Sequence, residues 1–272
     1  MTEKNGILTF ECDKDAQGNE LLNSSQRNNE IVWPSPSKFP NAQYRTSWKN
    51  TCNCTSYIMG LQYAGYIFPV GPYKQPEDNL ALSILQSDKI MARYQKEMPA
   101  MYKSFLRCKN GQCSAEELKN VCFPIELHDY LCAGANEWIG TTAAKFSTNV
   151  NFKKALWRYF VKDNLPMVIS TTFGGFGHIV CVTGVQYAKS DFEKGKAIEA
   201  ETKENPEVTP VAIIVDDPWG DASKSKFEKY PEGGGCGNDI IVPWDIVVKK
   251  VKPAGSDCAK WAHVFNHAAA II

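Results

Sequence analysis

The pattern of apolar and polar positions changes character near residue 165. Before it, apolar residues recur at helical spacing; after it, short β-branched runs dominate. The segment Asn50–Gly65 reads as a polar lead-in, a cysteine and about four turns of mostly good helix formers closed by a glycine. Cys54, Ile58 and Leu61 share one face, which predicts its burial. Asn50 or Thr51 can cap the start through a side-chain oxygen, and Gly65 suits the left-handed residue that ends a helix. Pro76-Glu77-Asp78 predicts a second helix start, with proline in the first turn and acids facing its positive end. Residues 77–135 are helix-rich, with runs at Asn79–Tyr94 and Ala115–Val121 and a turn at Lys109-Asn110-Gly111. Phe152, Leu156, Tyr159 and Phe160 make Asn151–Asp163 amphipathic, ending before Asn164-Leu165-Pro166.

Met167–Thr172 and His178–Tyr187 then read as strands joined by the glycine turn Phe173–Gly177. Lys189–Glu207 is a charged, solvated excursion, and Val211–Val215 is a third strand leading into Asp216-Asp217-Pro218-Trp219-Gly220. A Gly-rich loop at Gly233–Gly237 precedes the apolar runs Ile240–Trp244 and Ile246–Val251. Helices first and strands second predict an α+β fold with an antiparallel sheet. Residues 1–30 are polar and read as an extended or weakly structured lead, and Pro34, Pro36 and Pro40 extend the path to Gln43. The expected division is an arm over 1–39 and one domain over 40–272, with a helix-rich insertion at about 77–135.

Composition narrows the function classes. Thirty basic and thirty acidic residues cancel and form no basic run, which disfavours nucleic acid as a partner. No apolar run approaches the ~20 residues of a membrane helix. Met1–Gly18 lacks an apolar signal core, so the expectation is cytoplasmic synthesis without secretion. The ten cysteines are expected to be reduced thiols packed as small hydrophobes, with one local disulfide as the alternative. Cys108, Cys113, Cys122 and Cys132 do not form a CxxC pair, and His128 is the nearby imidazole, so no metal is expected there. His263 and His267, four apart, would suit a metal on a helix, but no third ligand accompanies them in the usual spacing.

The candidate chemistry starts at Cys52. The unpaired N–H groups and partial positive charge of a helix N-terminus favour a thiolate there. His178 begins a strand after a glycine turn, where its ring can stand beside a cleft; alone, it would read as a core histidine bonded to a carbonyl. Alternation places Val211, Ile213, Val215 and Asp217 on one face. Asp217 can thus accept the imidazole Nδ1–H, while Asp216 points the other way and is the second choice. An Asp-Pro pair is also a common turn starter. Gln43 ends the extended segment before the helix, where its amide could donate to an oxyanion beside the Cys52 N–H; otherwise it is a surface glutamine.

These residues resemble a family. Cys52-x-x-Thr55-Ser56-x-x-Met59-x-Leu61-x-Tyr63-x-Gly65 is similar to the nucleophile helix of C39-like cysteine peptidases of the papain-like superfamily, in the variant found in phage-encoded lysins. Gln75–Leu80, Leu165–Ser170, Gly177–Gly184 and Asp217–Gly220 continue the likeness, from about residue 40 to about 250. The resemblance implies a nucleophile helix and helical lobe packed on a C-terminal antiparallel sheet. It implies Cys52 as nucleophile, His178 as general base and then acid, Asp217 as its orienter and Gln43 as oxyanion donor, with no cofactor. It further implies an endolysin that cleaves amide bonds of peptidoglycan through an acyl-enzyme at the bacterial cell wall. A peptidase or acyltransferase acting on a protein substrate such as a double-glycine leader, or a non-catalytic phage structural or binding protein, are the alternatives. Cys54 departs from the family pattern, and Gln43-Tyr-Arg-Thr replaces its usual Gln-x-Asp. The Thr55-to-Gly65 register favours Cys52 over Cys54.

Overall fold

Strand β5 (His178–Ala188) is the spine on which the other elements are hung. The computed structural model describes residues 1–14, 21, 52–110, 112, 114–173, 177–220, 237–251 and 258–268. The remaining strands are β1 (Thr2–Lys4), β2 (Ile7–Glu11), β3 (Ala144–Asn151), β4 (Met167–Thr171), β6 (Ala212–Asp216), β7 (Ile240–Pro243) and β8 (Cys258–Phe265). Helices α1 (Cys52–Tyr63), α2 (Pro76–Gln86), α3 (Asp88–Glu97), α4 (Pro99–Lys109), α5 (Ala115–Asn120) and α6 (His128–Ile139) precede most of the sheet. Helices α7 (Phe152–Leu156), α8 (Lys189–Thr202) and α9 (Trp244–Lys250) are interleaved with it, and a π-helical turn at Trp157–Lys162 continues α7. The protein is α+β, and among the described residues its eight strands form one antiparallel sheet.

The registers explain why β5 is central. Cys181 and Val182 pair with both β4 and β6, while Gly184, Val185 and Gln186 pair with both β2 and β6. β2 and β4 therefore lie end to end along one edge of β5, and β6 takes the other. The sheet continues through β8 to β3. Strand alternation feeds two cores. Val168, Cys181 and Phe265 join a core with α1, α2 and α6, whereas Met167, Ile169, Val180 and Val182 join a second with Trp157, Phe160 and Val247.

Helix α1 rests on the sheet within the first core. Tyr57, Ile58, Met59 and Leu61 are buried, so more than one face is covered. Its C-terminus closes as the sequence predicts: Gly65 adopts φ +89°, its N–H donates to Gln62 O at 2.9 Å, and Tyr66 N–H donates to Leu61 O at 3.0 Å. Gly60 is required by close approach, since a methyl group there would fall 2.4 Å from the Phe265 ring. The expected caps Asn50 and Thr51 lie outside the described residues.

Two expectations are corrected, and two segments whose secondary structure the sequence left open prove helical. The N-terminal lead is not an extended arm over its first residues, because β1 and β2 form a hairpin that pairs with β5 and buries Leu8 and Phe10; two apolar side chains at period two were too brief a signal against the polar background. The charged excursion is a helix from Lys189 to Thr202, laced by the pair Lys196–Glu199 and tied to the π turn by Lys162–Glu199. The run Ile246–Val251 is mostly helical, because the turn after Pro243 buries Val247 and leaves Lys249 and Lys250 at the C-terminal end. His263 lies on a strand rather than a helix, where cross-strand pairing with Phe146 and Val168 overrides the local spacing. The boundary expected at residues 39 and 40 lies outside the described residues. Among the described residues no helix is long and apolar enough to cross a membrane.

Candidate active site

Cys52 is the first residue of α1 and is half-buried. One turn later, Ser56 Oγ donates to Ile179 O at 3.0 Å, which pins the start of the helix over the start of β5. His178, the first residue of β5, is buried there, and its backbone carbonyl accepts a hydrogen bond from Thr171 Oγ1 at 3.2 Å. Nε2 of His178 lies 2.7 Å from Asp217 Oδ1, and the ring also hydrogen-bonds Cys52. Asp217 directly follows β6, which ends at Asp216. It is held by its own N–H to Gly237 O at 2.8 Å, and its Oδ1 accepts the Trp219 N–H at 2.8 Å. That last bond is a side chain capping its own turn, so the Asp-Pro turn and the carboxylate–imidazole pair use the same oxygen.

Burial opposes a charged imidazole at His178, but the hydrogen bonds to Asp217 and Cys52 and their negative charges outweigh it, and the pKa is raised to about 9. The bond to Asp217 runs through Nε2, not through the Nδ1 expected from the sequence. Cys52 is the second group acting on the ring. Cys52 at the end of a helix, His178 at the start of a strand and Asp217 at the end of its neighbour thus form one hydrogen-bonded line across three elements.

The remaining candidates sort by position. Asp216 points away from His178, as expected for a second choice: Oδ2 accepts the Tyr63 hydroxyl and Oδ1 accepts the Asp239 N–H at 3.0 Å. Cys54 is buried, donates to Glu77 O at 3.4 Å, and has its pKa pushed well above the usual thiol value by burial and by the charges of Glu77 and Asp78. It is packing. Gln43 lies outside the described residues. His263 and His267 do not meet: Nε2 of His263 is 3.2 Å from His128 Nδ1, and His267 bonds the carbonyl of Asp163. Cys12, Cys52, Cys54, Cys132 and Cys181 are free thiols. Among the described residues no three His, Cys, Asp or Glu side chains converge as a metal site.

Sequence reasoning did not assign roles to Ser56, Thr171 or Trp219, whose side chain or backbone bonds next to Cys52, His178 or Asp217. Ser56 had a readable signal, since it lies one helical turn after Cys52 and so on the same side of α1. Thr171 and Trp219 act through register and turn geometry that only the fold reveals. No protein-family model matches the chain, and no curated protein matches its sequence.

Proposed function

We propose that the protein is a papain-like cysteine peptidase in which Cys52, His178 and Asp217 cleave amide bonds through an acyl-enzyme. The observation that carries the reading is the buried His178, bonded through Nε2 to Asp217 and also to the cysteine that begins α1. An imidazole between a carboxylate and a thiol, with its pKa raised to about 9, is suited to hold the proton taken from Cys52. The Cys52 sulfur attacks the carbonyl carbon, and the oxyanion forms beside the N-terminus of α1, where backbone N–H groups are unpaired. The imidazolium then passes its proton to the leaving amine, the amine departs, and Cys52 is left acylated. Water attacks the thioester as His178 accepts its proton, releasing the acid and restoring the thiol. Asp217 keeps the ring oriented and offsets its charge throughout.

The substrate class rests on the sequence motifs. Their resemblance to lysin-type C39-like peptidases favours peptide bonds of peptidoglycan, with action at a bacterial cell wall and no cofactor. The helical lobe, with a nucleophile helix laid on an antiparallel sheet, is the arrangement that reading requires.

The test compares iodoacetamide labelling and digestion of purified peptidoglycan by wild type, Cys52→Ala, Cys54→Ala and His178→Ala, with mass spectrometry of the released fragments. Expected is preferential labelling of Cys52 near neutral pH, new amino termini in the digest, and a loss of at least ~10³-fold in Cys52→Ala and His178→Ala but not in Cys54→Ala. Digestion that persists in Cys52→Ala defeats the peptidase reading. Labelling of Cys52 without any release from peptidoglycan leaves the thiol chemistry standing and defeats the substrate assignment.

A further inference from the structure

The far end of α1 holds a second polar contact that catalysis by the triad does not itself use. Tyr63, the last residue of the helix, donates its hydroxyl to Asp216 Oδ2. Asp216 is fully buried, and its other oxygen accepts the Asp239 N–H at 3.0 Å. Cys12 and Asp13, just after β2, and Cys181 of β5, whose pKa values burial raises, lie close enough to the same carboxylate for its charge to raise them further. Asp216 and Asp217 are adjacent in the chain, so one strand end sends one carboxylate to the nucleophile helix and the next to His178. Eleven steps of 1.5 Å put Tyr63 about 16 Å along the helix axis from Cys52, too far to touch the reacting atoms.

We propose that Tyr63 is a positioning residue, whose bond to Asp216 keeps the nucleophile helix in register with the strand that delivers Asp217 to His178. The inference rests on the peptidase reading above. A helix is stiff along its axis, so an anchor at one end and Ser56 bonded to Ile179 near the other fix where Cys52 stands relative to the imidazole. Without the Tyr63 hydroxyl, a buried carboxylate oxygen loses a donor and the helix end is free to shift to relieve it. A sub-ångström shift at Cys52 weakens its contact with His178 and thus the thiolate it supports.

The experiment measures iodoacetamide alkylation of Cys52 against pH by peptide mass spectrometry, in wild type, Tyr63→Phe, Asp216→Asn and Phe105→Leu, with urea-unfolded protein as the free-thiol reference. Phe105 is buried in the helical lobe, so its variant loses stability without touching this contact. Expected is that the pH at which Cys52 becomes reactive rises by about one unit in Tyr63→Phe, a roughly tenfold slower reaction on the acidic side. Asp216→Asn still accepts from Asp239 and can bond Tyr63, so it stays near wild type, as does Phe105→Leu. Should Tyr63→Phe not fold, Asp216→Ser, too short to reach the hydroxyl, takes its place. A Tyr63→Phe profile superimposed on wild type overturns the positioning role, as does an equal shift in Phe105→Leu. A wild-type profile equal to the unfolded reference instead overturns the peptidase reading itself.

Discussion

His178 and His263 are both buried, and their partners drive them in opposite directions. His178 meets Asp217 and Cys52, and its pKa rises to about 9 despite burial. His263 meets the His128 imidazole and the rings of Tyr57, Phe146 and Trp261, while its Nδ1 has no partner among the described residues. Burial first, and then the neighbouring imidazole, hold it well below its ordinary value of 6.5. The signs of the linked stability differ accordingly. His178 binds its proton more tightly folded than unfolded, so its contribution is complete below pH 6.5 and is lost as pH rises to about 9. His263 binds its proton more tightly unfolded, so it costs stability as pH falls below 6.5. Urea unfolding at fixed pH values should show a flatter decline between pH 6.5 and 9 in His178→Gln than in wild type. The acid limb below pH 6.5 should be flatter in His263→Leu. Equal slopes in wild type and either variant would remove the corresponding linkage. The sequence could nominate His178 by its place after a glycine turn, but the nitrogen it predicts, Nδ1, is not the one bonded, because that depends on which side of the imidazole each partner approaches.

At the scale of elements, what the sequence made legible is what local physics controls. Helix α1, its glycine stop at Gly65 and the strand pair Met167–Thr171 and His178–Ala188 all carry their own signals of period, cap and β-branching. What it hid depends on distant partners: β8 exists because β3 and β4 bracket it, and Lys189–Thr202 folds as a helix against Trp157 through Gly195. Gly60 shows the same division. In a helix interior glycine is worse than alanine by about 1 kcal/mol, so propensity alone would predict that Gly60→Ala stabilises. Phe265 contradicts it, standing 2.4 Å from where the methyl would sit, wedged against Tyr57 with ring centroids 5.3 Å apart. Overpacking of this kind costs about 1–3 kcal/mol, so after the propensity gain the expected outcome is a net loss of up to about 2 kcal/mol in urea unfolding. Phe265→Leu in the same chain should recover part of it. A Gly60→Ala protein as stable as wild type would show that the helix is not seated this closely on β8.

For the whole molecule, the main change is the status of the N-terminal residues. β2 pairs with β5 from Ile7↔Ala188 to Glu11↔Gly184, and Phe10 packs on Tyr187 and Phe192 with ring centroids 6.3 and 5.2 Å away. Beyond the strand, the Cys12 N–H donates to Thr183 O at 2.9 Å, and Asp13 reaches the surroundings of Asp216. The first residues of the chain therefore complete the sheet next to the strand that bears His178 and help bury the carboxylate that anchors α1. A free arm would make no contribution to unfolding. A strand in the core would contribute as other buried aromatics do, about 3–5 kcal/mol on truncation of a phenylalanine to alanine. Phe10→Ala in the full chain should therefore lower the unfolding free energy by about that amount, while Leu106→Ala, at a 37% exposed position, should change it by no more than about 0.5 kcal/mol. A chain begun at residue 40 should expose the β5 edge from Gly184 to Ala188 and the apolar faces of Tyr187 and Phe192, and should aggregate or melt well below the full chain. If that shortened chain instead matches the full one in urea midpoint and in Cys52 alkylation, the hairpin is dispensable and the sheet from β5 onward is stable by itself.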